Sequence, residues 1–233
     1  MKKSVFILLC MLCSSFTFCT AQQLDMQHNM FRSGDVIKKV LCTLTEESTD
    51  CKETKLWTIH GKDDDMSVLQ KFYQSNDPLR NIYFSERNAL NHFSLENNVL
   101  KLSVKEDNQT YIRYDLQEPI LMFPFSYGDR ISGMFHGTGT FCDKLRVRSC
   151  GSYSLCADEL GSLVTIDGDT LHNVICLHAL RYENVSYFPR EQVPSNYGVF
   201  TDDSIRTCIS SDTLVLQEDF CRWYAPGYRY PVA

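Results

Sequence analysis

The sequence predicts an all-β protein, an antiparallel meander forming a β-sandwich or a partly open barrel. Three observations carry this. Short apolar runs alternating with period two recur along most of the chain, polar turn clusters separate them, and helical periodicity is nearly absent. Only Val68, Leu69, Phe72 and Tyr73 also fit one face of a helix.

Residues 1–21 read as a signal peptide and residues 22–233 as a single all-β domain. Lys2 and Lys3 form a charged start, residues 5–12 an apolar run too short to span a membrane, and Ala21 a small residue suited to cleavage before Gln22. Phe18 before Cys19 argues against lipidation, which needs a small residue there. The expected location is outside the cytoplasm: periplasmic, outer-surface or extracellular, with no transmembrane segment. Residues 22–29 are polar and expected to be a flexible lead-in.

Ser33-Gly34-Asp35 is a turn, followed by a strand over 36–44 and another over 56–59. The run 61–65 contains three aspartates but lacks the spaced ligands, central glycine and closing glutamate of a calcium loop, so it reads as a solvated loop. Leu100, Leu102 and Val104 alternate with Lys101, Ser103 and Lys105. Ile112, Tyr114 and Leu116 repeat the pattern after a turn at 106–108, which makes a hairpin. Beyond the irregular stretch 119–129, strands are expected over 140–148 and 151–157, with the reversal centred on Ser149. Asp167-Gly168 between apolar runs marks a tight primed hairpin turn, and short strands follow over 204–209 and 213–217. At the end of the chain, Pro226-Gly227 sets a type II turn between Trp223-Tyr224 and Tyr228 and Tyr230. So much apolar area so close to a terminus predicts that the terminus docks.

Of eleven cysteines, three lie in the signal peptide and eight remain. An even number in an exported chain points to disulfides, with buried thiols as the alternative. The register about Ser149 sets Cys142 against Cys156. Local spacing pairs Cys42 with Cys51 and Cys208 with Cys221, leaving Cys150 and Cys176 unassigned. No Cys-x-x-Cys occurs, so neither a zinc knuckle nor a thioredoxin-type pair is indicated, and no metal or other cofactor is expected.

Four segments carry a resemblance: Phe-Pro-Phe-Ser-Tyr-Gly-Asp at 123–129, Ala157-Asp158 with Gly161 and Leu163, Gly168-Asp169-Thr170-Leu171 with Asn173-Val174, and Trp-Tyr-Ala-Pro-Gly-Tyr-Arg-Tyr-Pro at 223–231. Together they resemble a family of secreted proteins from gut and oral Bacteroidetes over residues 30–232. The resemblance implies export and organism class but no chemistry. Cys176 stands where the resemblance implies arginine.

Without residues 1–21 the chain loses two lysines and no acid, leaving 21 basic and 29 acidic residues and a formal charge of -8. Its basic residues are dispersed, which excludes nucleic acid as an expected partner. Nucleophile-elbow, phosphate-loop, zinc-protease and dinucleotide motifs are absent. His136, His172 and His178 read as structural. Cys176 and His178, two apart on a strand, lie about 7 Å from each other, beyond direct hydrogen bonding. The sequence therefore predicts a non-catalytic surface binding module for glycan, lipid or an envelope protein. Its candidate ligand-binding residues are Trp223, Tyr224, Tyr228 and Tyr230, unless those rings close the core. The alternative is a glycan-directed hydrolase drawing two carboxylates from separate strands.

Overall fold

The computed structural model describes residues 23–48, 55–76, 82–195, 197–198, 200–211 and 215–233. In chain order the elements are β1 (Gln23–Leu24), α1 (Met26–Asn29), β2 (Val36–Ser48), β3 (Lys55–Gln74), β4 (Ile82–Glu86), β5 (Ala89–Glu96), β6 (Val99–Glu106) and β7 (Thr110–Met122). Then come β8 (Phe125–Ser126), β9 (Arg130–Phe141), β10 (Leu145–Val164), β11 (Thr170–Pro189), α2 (Asp202–Ser211) and β12 (Val215–Tyr224). Ten strands form one sheet in the order β12-β11-β10-β9-β7-β6-β5-β4-β3-β2, and β1 pairs with β8 beside it. The fold is all-β and antiparallel, as the alternation predicts.

One ladder is parallel, and it shapes the molecule. Residues 161–164 of β10 pair with residues 55–58 of β3. Since β11 already holds one edge of β10 there, β3 takes the edge that β9 holds over residues 145–156. The sheet thus curls until the start of β3 meets the end of β10, giving a sandwich-like, partly open barrel. Gly161 permits the meeting, because a Cβ there would lie 2.1 Å from the Lys55 carbonyl oxygen. Lys55 also pairs across the junction with Glu159, and with Glu46 at 2.8 Å.

The main core fills the curl with Phe93, Leu100, Leu121, Phe125, Phe135, Leu155 and Leu177. A smaller cluster of Trp57, Leu163, Val174, Cys176 and Ala225 sits by the parallel ladder. The expected hairpin β6–β7 forms, with Asp107 Oδ1 accepting from the Gln109 and Thr110 N–H groups at 2.8 Å. Asn97 and Asn98 both take positive φ between β5 and β6, the primed turn that asparagine tolerates.

Several expectations are corrected. The β9–β10 reversal is at Cys142-Asp143, both at positive φ, and Ser149 lies mid-strand opposite Gly137. Cys156 therefore pairs with Arg130, roughly 40 Å along the strand from the turn that holds Cys142, and the Cys142–Cys156 bridge is ruled out. Residues 61–65 belong to β3, whose register with β2 slips on either side of Leu41. Cys42 falls in that slipped stretch, well away from the β2–β3 reversal, and Cys51 lies outside the described residues. The Asp167-Gly168 hairpin forms, but only Gly168 has positive φ, and the Gly168 N–H donates to the Thr165 carbonyl at 3.0 Å. This is a three-residue loop ending in a left-handed glycine, not a two-residue primed turn. The expected lead-in is ordered as β1 and α1.

Over 204–209 the chain forms α2 instead of a strand. Thr201 and Ser204 cap each other reciprocally, each backbone N–H donating to the other's hydroxyl at 3.0 and 3.3 Å. Asp202 and Asp203 complement the first turn, and Ile205 is buried. Cys208 on α2 lies beside Cys150 and accepts from Arg148 Nη2 at 3.7 Å. Cys221 sits opposite His178, itself opposite Cys156. Six residues of β10 separate Cys150 from Cys156, about 20 Å, so Cys208 cannot reach Cys221. All seven described cysteines are free thiols in this structure.

Candidate functional site

The chain end folds back as a strap. The Tyr228 N–H donates to the Ala225 carbonyl at 3.2 Å with Gly227 at φ 83°, the predicted type II turn. The strap then returns along β12: the Val232 N–H donates to the Trp223 carbonyl at 2.7 Å, and the Trp223 N–H to the Ala233 carbonyl at 3.1 Å. The predicted docking of the terminus is found. Its anchor is α1 and the residues just after it: Arg229 donates to the Met30 carbonyl at 2.7 Å and the Gln27 carbonyl at 3.1 Å, and Asn29 Nδ2 donates to the Tyr228 carbonyl at 3.2 Å. The Tyr230 hydroxyl donates to Asp35 at 2.8 Å and accepts from the Arg32 N–H at 3.1 Å. Burial pushes the Tyr230 hydroxyl up to about 12, and Arg32 holds Asp35 below the usual carboxylate range.

The four aromatic candidates separate. Tyr224 is 3 % exposed and belongs to the main core. Trp223 packs edge-on to Trp57 at 6.0 Å, and Tyr230 stacks on Phe72 at 4.9 Å. Tyr228 is 49 % exposed and does not share the groove that the other three line.

Trp223, Tyr224 and Tyr230 line a groove of about 680 Å³. Its walls are the two end strands of the ten-stranded sheet, β2 through Ile37, Leu41 and Leu44 and β12 through Phe220 and Trp223. Phe72 and Ile59 of β3, Val232 of the strap, and Phe31, Phe84 and Leu121 add to the apolar lining. The groove is thus the seam that the curled sheet leaves open. Among the described residues lining it, Glu86 is the one side-chain carboxylate, and it is paired with Lys39 at 2.7 Å. Trp223 Nε1 is buried without a partner among the described residues, leaving one donor on an otherwise apolar wall residue. Sequence reasoning found the strap but missed the β2 wall. The apolar residues Ile37, Leu41 and Leu44 are plain in the strand expected over 36–44, but nothing local shows that the two ends of a sheet will meet.

The structure also brings three carboxylates together around one arginine, away from the groove. Inside the curl, Arg181 donates to Glu118 at 2.8 Å, to Glu183 at 2.5 Å and to Glu218 at 3.3 Å. Its guanidinium lies 4.3 Å from the centre of the Phe135 ring. Burial raises Glu118 despite Arg181. Burial pushes Glu183 up too, but Arg181 and the Ser149 hydroxyl outweigh it and hold Glu183 low. Such divergence resembles an acid–base pair, yet Arg181, Glu118 and Glu183 are all buried and line neither the groove nor the shallow polar depression near Asn88.

The histidines are each engaged. His136 is buried, bonded to Asp115 at 2.6 Å and stacked on Phe200 at 3.9 Å, and burial lowers its pKa. His172 meets Ser162 at 3.1 Å, and His178 meets Asp219 at 2.6 Å. A register slip at Asn173, which has positive φ, separates the alternation of His172 from that of His178. Cys176 is fully buried and its thiol is raised first by that burial, the opposite of an activated nucleophile.

No protein-family model, curated protein or solved structure matches the chain.

Proposed function

We propose that this is an exported, non-catalytic binding module that holds an apolar ligand, the acyl chain of a lipid, in the seam between β2 and β12. The observation that carries this reading is the groove itself, whose volume of about 680 Å³ and apolar lining suit a small-molecule site. The aromatic rings offer little open face for stacking a sugar, since Tyr224 is buried and Tyr230 is covered by Phe72. Export is supported by Lys2, Lys3, the apolar run 5–12 and Ala21, and by the resemblance to secreted Bacteroidetes proteins. Outside the cytoplasm, the neighbouring thiols Cys150 with Cys208 and Cys176 with Cys221 are the pairs placed for oxidation.

The test is displacement of an environment-sensitive apolar dye from the mature protein by fatty acid and phospholipid, with glycan and peptide libraries in parallel. One acyl ligand should bind per chain, and Leu44→Trp, which fills the groove, should abolish binding while preserving the fold. Binding of glycan or peptide with no acyl competition refutes the proposal. Intact-mass measurement of the exported protein should give a chain beginning at Gln22, and a diacylglycerol adduct on Cys19 would overturn that start.

A further inference from the structure

A second feature stands on the outer face of β10 and β11 and is independent of the groove. Cys156 and His178 are directly opposed across the two strands. Just beyond them the register slips, because two residues, Ala157 and Asp158, separate Cys156 from Glu159 while one separates His178 from Cys176. Regular alternation would put Asp158 on the Cys156 face in any case, but the extra residue bends the strand and re-aims the carboxylate. Cys156 Sγ donates to Asp158 Oδ2 at 3.2 Å, and the ligand atoms of Cys156, Asp158 and His178 all lie within 4.8 Å of one another. A tetrahedral ion with ligands at about 2.0–2.3 Å holds its donor atoms roughly 3.3–3.8 Å apart, so side-chain adjustments of about 1 Å complete the geometry.

Two more observations point the same way. Asp219 of β12 engages His178 Nε2 at 2.6 Å, as an outer carboxylate does when it orients a ligating imidazole. Asp219 adds a carboxylate beside the group, while Glu159 nearby is paired with Lys55 and Arg130 lies opposite Cys156. Cys156 is buried, His178 partly open and Asp158 exposed, so one side faces solvent and a water can fill a fourth position.

We propose that Cys156, Asp158 and His178 bind a thiophilic divalent cation of the zinc class, with Asp219 as the positioning residue for His178. Thiolate and imidazole select such an ion over calcium or magnesium, which take oxygen donors. On binding, the Cys156 thiol releases its proton to solvent and the Asp158 carboxylate exchanges a thiol hydrogen bond for the ion. The lack of a Cys-x-x-Cys pair does not bear on this set, which two strands and a register slip assemble.

Cobalt(II) is the probe, titrated into the full mature chain under a phosphine reductant. One equivalent should produce a thiolate-to-cobalt charge-transfer band that zinc bleaches. Cys156→Ser should abolish the band, and Asp219→Asn should weaken binding about tenfold. Asp158→Asn and His178→Gln should weaken it further. Far-UV circular dichroism checks each fold, and Asp158→Asn alters an exposed side chain, so the proposal stays testable if Cys156→Ser misfolds. No charge-transfer band, unchanged affinity in folded Asp158→Asn, or a band that survives Cys156→Ser and vanishes in Cys221→Ser each overturns the assignment.

Discussion

Replacing Arg181 by methionine keeps an unbranched, flexible side chain and removes the guanidinium that bonds both Glu118 and Glu183. Their side chains are 9 % and 4 % exposed, so neither can recover its hydration. Breaking such a buried pair from one side costs about 3–5 kcal/mol, against a typical total of roughly 5–15 kcal/mol. With an m-value of about 2 kcal/mol per M, the urea midpoint should fall by roughly 2 M at neutral pH. The pH dependence has a definite sign. In the native protein Glu183 is held low, so its stabilisation is present above the unfolded carboxylate value and is lost as pH falls through its lower folded value. Glu118 is raised, so its burial is penalised at neutral pH and the penalty eases as pH falls through its raised value. Without Arg181 both carboxylates are raised, and the deficit of the variant should shrink as pH drops from 7 toward the carboxylate range. Adding Glu118→Gln and Glu183→Gln should recover most of the lost stability. A midpoint shift under about 0.5 M at pH 7, with unchanged slope, would refute the view that Arg181 neutralises two buried charges.

Gly161→Val places side-chain atoms against the Lys55 carbonyl and should lower stability by more than about 3 kcal/mol, or abolish cooperative unfolding; an unchanged melting temperature would show that the parallel ladder does not close the sheet. Tyr230→Phe loses the hydroxyl shared by Asp35 and Arg32, which should cost about 1 kcal/mol by chemical denaturation while the ring stays stacked on Phe72. Non-reducing peptide mapping of the oxidised protein should recover Cys150 joined to Cys208 and Cys176 joined to Cys221, and a Cys142–Cys156 peptide would contradict the observed register.

What the sequence made legible was local. Leu100 to Val104 and Ile112 to Leu116 alternate cleanly, and Asp107 supplies the turn acceptor, so β6 and β7 were readable. Gly168 and Gly227 announced their reversals because each needs a positive φ. Cys142-Asp143 announced little, since aspartate tolerates a left-handed position but cysteine is an unusual choice for one and no glycine follows. In α2, six residues were too few to separate a helical from an alternating pattern, although Thr201, Asp202, Asp203 and Ser204 already spelled a helix start. The groove follows the same division. Its β12 and strap wall was evident from clustered aromatics, whereas its β2 wall depends on Gly161 meeting Lys55 across more than a hundred residues of chain.

The strap also governs when the molecule can finish folding. Tyr228, Arg229 and Tyr230 hold partners 195 to 202 positions earlier, between Gln27 and Asp35. A polypeptide emerging N-terminus first can seat Phe31 on Phe72 and Phe93 early, but the Met30 and Gln27 carbonyls and Asp35 lack their strap partners until residues 228–230 arrive. Contacts of such sequence separation form late and slowly, because ring closure must precede the attraction that rewards it. Early strands such as β5, β6 and β7 can condense on their own meander contacts, while the first and last segments wait for each other. The nascent chain consequently passes through a stage with an open seam, the stage at which a holdase would encounter it.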